Sequence, residues 1–111
     1  MTVNELCRRL DARLTAGANG AVRSVKTGYI CDLLSFVIGK AQEDCAWVTV
    51  IGNVNTIAVA TLADVACVIL AENIPLDQAA RKRADENGVA VLQSEKSAYA
   101  LAAEINAALG I

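Results

Sequence analysis

Two short runs, Trp47–Ile51 and Ala66–Leu70, are apolar almost throughout, and each leads through polar loop residues into a segment long enough for a helix. A strand with one face in water alternates apolar and polar side chains, whereas a strand without a polar side must be covered on both faces. Within one small domain, helices packed on both sides of a mainly parallel sheet supply that cover. This feature restricts the chain to an α/β architecture.

The rest of the chain supplies the alternating elements. Thr2-x-x-Glu5 forms a capping box, and Leu6, Leu10 and Leu14 repeat at helical spacing behind it. They predict a first helix that stops before Gly17-Ala-Asn-Gly20. Ala21–Lys26 reads as a strand through Val22 and Val25, with Thr27-Gly28-Tyr29 as the turn that follows. From Cys31 onward Leu33, Leu34, Val37, Ile38 and Ala41 make a helical stripe, with Asp32 in the first turn, where negative charge suits the helix dipole.

Asn53 or Asn55 caps a helix that runs to about Asp64, and Asn73 and Pro75 end the second apolar run. Leu76–Asn87 is an amphipathic helix with Asp77 near its start, charged residues Arg81 to Glu86 on its exposed side, and Gly88 as its stop. Val89–Leu92 is a last short strand. Ser94 or Ser97 opens a final helix that presents Leu101, Ile105 and Ala108 on one face and closes at Gly110. The expectation is one α/β domain over residues 1–111: a mainly parallel sheet of about four strands sandwiched between helices.

Hydrophobic residues make up 55% of the 111, and only 4% are aromatic. A domain this small hides only part of its apolar surface in its own core, so a homodimer is expected to cover the rest. The apolar stretches are broken by Gly52, Asn53, Asn55 and Asp64, far short of the ~20 residues a membrane span needs. The polar, acidic start Met1-Thr-Val-Asn-Glu5 is unlike a signal peptide, and a cytoplasmic location is expected. A net charge of −2 with mixed signs gives no electrostatic footprint for nucleic acid.

Cys7, Cys31, Cys45 and Cys67 include no C-x-x-C pair, and the chain has no histidine. Separated thiols in apolar settings indicate core packing in a reducing compartment, and no metal site or cofactor is expected.

In open α/β sheets, ligands bind beyond the carboxyl ends of the strands. Lys26-Thr27-Gly28, Gly52-Asn53 with Asn55, Glu72-Asn73 and Gln93-Ser94 follow the four expected strands and form a candidate anion or nucleotide pocket. The same residue types also serve as ordinary turns and caps. Lys26-Thr27-Gly28 lacks the preceding G-x-x-x-x-G of a P-loop, and no G-x-G-x-x-G follows a strand. Glu43-Asp44 reads as a solvated turn. Cys31, near a helix start, is the one nucleophile with a physical case, although Ile30 and Leu33 point to its burial. An enzyme is not expected.

Gly28-Tyr29-Ile30-Cys31-Asp32-Leu33-Leu34-Ser35 resembles the G-Y-V-x-D-L-L-S segment of stand-alone DRTGG-domain proteins. Ala46-Trp47-Val48-Thr49-Val50 is similar to their x-W-I-T-I strand, and Asn55–Asp64 to their N-x-x-A-V-A-x-L-x-D helix. The family is related to the N-terminal domain of HPr kinase/phosphorylase and to regulatory modules in phosphotransacetylases and some inorganic pyrophosphatases, where it sits beside adenine-nucleotide-sensing modules. Stand-alone members are associated with redox and hydrogenase systems of anaerobes.

The resemblance implies a non-catalytic regulatory domain, homodimeric, acting through contacts with a protein partner in anaerobic or energy metabolism. Its alternative implication is a sensor of an adenine nucleotide or other anion. Two family signatures are altered: G-D-R falls at Gly52-Asn53-Val54, and T-G-G falls at Ala71-Glu72-Asn73. Loss of the arginine removes a bidentate anion clamp that lysine replaces poorly.

Overall fold

The computed structural model describes residues 1–111. Its elements are α1 (Val3–Arg9), β1 (Arg13–Ala16), a 3-10 turn (Ala18–Val22), β2 (Thr27–Ile30), α2 (Leu34–Lys40), β3 (Cys45–Thr49), α3 (Val54–Ala63), β4 (Cys67–Leu70), α4 (Gln78–Asn87), β5 (Ala90–Gln93) and α5 (Ala98–Leu109). The strands form one sheet in the order β1-β5-β4-β3-β2. β2 to β5 are mutually parallel, and β1 joins β5 antiparallel.

The two apolar runs occupy the middle of the sheet, and every residue of β3 and β4 is buried. Their side chains alternate between two cores. Ala46, Val48, Cys67 and Ile69 meet Val3, Leu6 and Leu10 of the α1 segment and Leu101 and Ile105 of α5. Cys45, Trp47, Val68 and Leu70 meet Val37 of α2, Ile57 and Ala60 of α3, and Ala80 and Ala84 of α4. Trp47 is the largest fully buried side chain, and its indole N–H donates to the Cys31 carbonyl at 2.9 Å. That bond satisfies the polar edge of a ring otherwise held by apolar contacts.

Helix starts follow the local sequence. Thr2 and Glu5 form the reciprocal capping box, Asn53 caps α3, Asp77 caps α4, and Ser97 rather than Ser94 caps α5. Gly88 and Gly110 end their helices in the left-handed region. No helix is long and apolar enough to cross a membrane.

The edges of the sheet depart from expectation. The first helix ends at Arg9, because Asp11 turns left-handed (φ 53) and Leu14 passes into β1. The sheet therefore has five strands, not four. Ala21–Lys26 is not a strand: its first two residues finish the 3-10 turn, and Ser24 makes only an isolated bridge to Thr2. The place beside β3 belongs to Thr27–Ile30, so Thr27-Gly28-Tyr29 is strand and not turn. Asp32 precedes α2 and caps no helix; its Oδ1 accepts from Thr49 Oγ1 at 2.7 Å and from the Val50 amide at 3.0 Å.

Candidate functional site

The carboxyl ends of β3, β4 and β5 bring together Gly52, Asn53, Asn55, Glu72, Asn73 and Ser94, as a parallel sheet requires. The Asn53 side chain accepts from the amides of Asn55 (2.9 Å) and Thr56 (3.4 Å), while Thr56 Oγ1 donates to the Ile51 carbonyl. Gly52 lies directly under the Pro75 carbonyl, where any Cβ would collide, and its own carbonyl accepts from the Asp77 amide at 2.9 Å. The α3 and α4 starts are thereby joined to each other.

The loops after β4 and β5 are joined in the same way. The Glu72 and Asn73 amides donate to the carbonyls of Lys96 (2.9 Å) and Ser94 (2.7 Å). Gln93 Nε2 donates to the carbonyls of Asn73 and Ile74. Ser94 is buried, and its Oγ accepts from the Lys96 amide. Glu72 and Asn73 both hold positive φ, 58° and 55°. The two glycines of the T-G-G signature align with these two left-handed positions, so a backbone requirement accounts for glycine there. In this chain the Asn55, Thr56, Glu72 and Asn73 amides are already bonded inside the fold.

One polar cleft remains on this rim. It measures about 340 Å³ and is lined by Asp11, Arg13, Ser94, Glu95 and Lys96. Arg13 comes from β1 and donates from Nη2 to Asn73 Oδ1 at 2.8 Å. Lys96 Nζ is held by the Leu10 carbonyl and Glu104. Sequence reasoning missed Arg13 because it assigned that stretch to the first helix.

Lys26, Thr27 and Gly28 do not join this rim. They begin β2, at the opposite, amino end of the sheet, because the strand starts where a turn was expected. Lys26 Nζ lies 3.3 Å from Asp44 Oδ2, and Arg23 bridges Asp44 (2.6 Å) and Asp64 (3.0 Å). Hydrogen bonds from Arg23, then Lys26, hold the Asp44 carboxyl below the usual carboxylate range. Glu43-Asp44 is thus more than a solvated turn, since Asp44 ties the amino ends of β2, β3 and β4 together.

Cys7, Cys45 and Cys67 are buried, and burial pushes their thiols up, Cys45 to about 11 and Cys67 further. They are neutral packing groups. Cys31 is half-buried, lies ahead of α2 rather than in it, and its Sγ accepts from the Leu33 amide at 3.4 Å.

Between β2 and α5 runs a second cleft, of about 150 Å³ and mostly apolar, lined by Gly28, Ile30, Val48, Ala102, Ile105 and Asn106. Ile30 of this cleft is 42% exposed, and Leu33 and Phe36 of the α2 segment are 53% and 48% exposed.

No curated protein matches the sequence. Among solved structures, the chain is similar to the CBS and DRTGG domains of the regulatory region of Clostridium perfringens pyrophosphatase, complexed with its activator diadenosine tetraphosphate. The TM-score is 0.71 at 9% identity, over 94% of this chain and 45% of that one. The chain therefore spans less than half of that relative, and at this identity the likeness is one of fold. The DRTGG domain family itself matches residues 5–108. With the match covering nearly the whole sheet and its helices, the chain belongs to the DRTGG domain family.

Proposed function

We propose that this chain is a non-catalytic regulatory domain that works as a homodimer through protein contacts, in anaerobic or energy metabolism. One observation carries the reading. The polar loops at the carboxyl ends of β3 to β5 are bonded mainly to one another, whereas large apolar side chains are exposed along β2 and α2. Exposed apolar groups gathered in one region are what a macromolecular partner covers. Sedimentation velocity tests the dimer directly. A purified chain that stays monomeric at 100 μM, a deliberately high concentration, is incompatible with this reading.

A small-ligand sensor is the second reading. It is favoured by the polar rim cleft at Arg13, Ser94 and Lys96, and by the diadenosine tetraphosphate bound in the similar pyrophosphatase region. On this reading the ligand meets Arg13, Asn73 and Ser94, with Gly52, Asn53, Asn55 and Glu72 shaping the loops behind them. A ligand at 100 times its Kd stabilises the native state by about 2.7 kcal/mol. A thermal-shift screen against adenine nucleotides and diadenosine polyphosphates reads this as a rise of several degrees, lost in Arg13→Ala. A flat screen removes the reading.

A further inference from the structure

The dimer of the preceding reading leaves open which surface pairs, and β2 carries an arrangement that selects one. It is an edge strand: β3 lies on one side, and the sheet order ends on the other. The Cys31 amide donates inward to the Val48 carbonyl and closes the Ile30–Val48 pair of the parallel ladder. Backbone groups alternate along a strand, so those of Tyr29 also face β3, and those of Gly28 and Ile30 point to the free side. The side chains alternate as well. Tyr29 packs on the α2 and α3 core, while Gly28 and Ile30 face α5 and line the apolar cleft beneath it.

We propose that two copies of this chain pair through β2, antiparallel, in the register that sets Tyr29 opposite its own symmetry mate. This inference rests on the homodimer reading and specifies its interface. Three features meet in this register. Gly28 and Ile30 carry the outward backbone groups, so each Gly28–Ile30 pair across the axis exchanges both N–H···O bonds, with Tyr29 as the close, non-hydrogen-bonded central pair. Opposed residues share a face, so Ile30 of each copy lies against Gly28 of the other. There the missing side chain and the cleft of about 150 Å³ leave room for it. Lys26 of each copy lies opposite Asp32 of the other, so opposite charges meet at both ends of the pairing. A shift by one residue would oppose side chains of unlike faces and remove all three. The result is one continuous sheet across a two-fold axis.

Sedimentation velocity on the full chain and on Ile30→Lys gives the first test. The wild-type chain is expected to dimerise. Ile30→Lys is expected to weaken dimerisation at least tenfold, with an unchanged far-UV spectrum and a melting temperature within a few degrees, since Ile30 is already 42% exposed. The register is tested by oxidation in a Cys31→Ser background. A non-hydrogen-bonded opposed pair has Cα atoms about 4.5 Å apart, within disulfide reach. Tyr29→Cys is therefore expected to give a covalent dimer, while Thr27→Cys gives none. Thr27→Cys with the native Cys31 retained is expected to cross-link, because those two residues are opposed. A dimer indifferent to Ile30→Lys, or cross-linked through Thr27 but not Tyr29, overturns the β2 pairing and leaves the homodimer standing. A monomeric wild-type chain overturns both.

Discussion

At one edge of the sheet, β1 carries a register shift between Leu14 and Ala16 and is held from outside by α4. Arg81 Nη1 donates to the Thr15 carbonyl at 2.7 Å, and Asp85 Oδ1 accepts from the Gly17 amide at 2.7 Å. At the other edge, β2 runs in unbroken parallel register with β3, without proline or bulge, and no helix side chain reaches around it. Both strands are four residues long. Length therefore does not separate them; the treatment of their free backbone groups does. A bulge and a helix clasped onto the strand's backbone block strand addition at β1, whereas β2 has neither and carries its charges only beyond its two ends. The difference teaches that one edge closes the fold and the other is left available.

The comparison is tested most severely at Gly17. It holds φ 68, and a Cβ there would enter the Val89 carbonyl. Gly17→Ala is expected to cost about 3 kcal/mol or more, a large share of a small domain's stability, read as a fall in the urea midpoint. A change below about 1 kcal/mol would show that the β1 edge is not closed against β5. The next test removes a clasp rather than a backbone fit. Asp85→Ala leaves the buried Gly17 amide without its acceptor and is expected to cost about 1–3 kcal/mol in the same assay.

The start of β2 is held by charge, so its hold depends on pH. The Asp44 carboxyl, bonded by Arg23 and Lys26, has a folded pKa below its unfolded value of about 3.9. Its contribution is present above the unfolded value and is lost as pH falls through the folded value. The expected outcome is a drop in melting temperature below about pH 4 that is shallower in Asp44→Asn, with near-equal curves at neutral pH counting against the ion pairs as a stabilising device.

The same contrast explains what could be read from sequence. β3 and β4 were legible because unbroken apolar runs admit few other placements. The cap at Thr2 was legible outright, and Asn53 and Ser97 each as one of two candidates, because such bonds span only two or three residues; Asp77 was placed at its helix start without its capping bond. The edge strands were not. β1 pairs Arg13 with Gln93, a partner remote in sequence, while Leu6, Leu10 and Leu14 imitate a helix locally. Thr27-Gly28 has the composition of a turn, yet β3 recruits it as strand. The candidate site followed the same rule. The loop residues at the strand ends were named correctly in place, but Lys26–Gly28 was assigned to the wrong end by that single strand error. The Arg13 contact to Asn73 joins residues 60 apart, beyond any local pattern.

The smallest expected effect on the fold is the one that sharpens the comparison most. Gly28→Ala makes at β2 the same chemical change that Gly17→Ala makes at β1. Gly28 has an ordinary φ, and its added Cβ would press only on the flexible Cγ2 of Ile105, at 3.3 Å, with the Ala46 carbonyl at an ordinary contact distance of 3.8 Å. The side chain can yield by a few tenths of an ångström, so urea melts are expected to differ from wild type by less than about 1 kcal/mol. The methyl group nevertheless occupies the space that the β2 pairing gives to Ile30 of the second copy. Sedimentation at matched concentrations is therefore expected to show weaker association where the melts show almost none of the β1 penalty. Equal losses of stability at the two glycines would mean that β2 is packed as tightly as β1, and the contrast between a closed edge and an available one would fail.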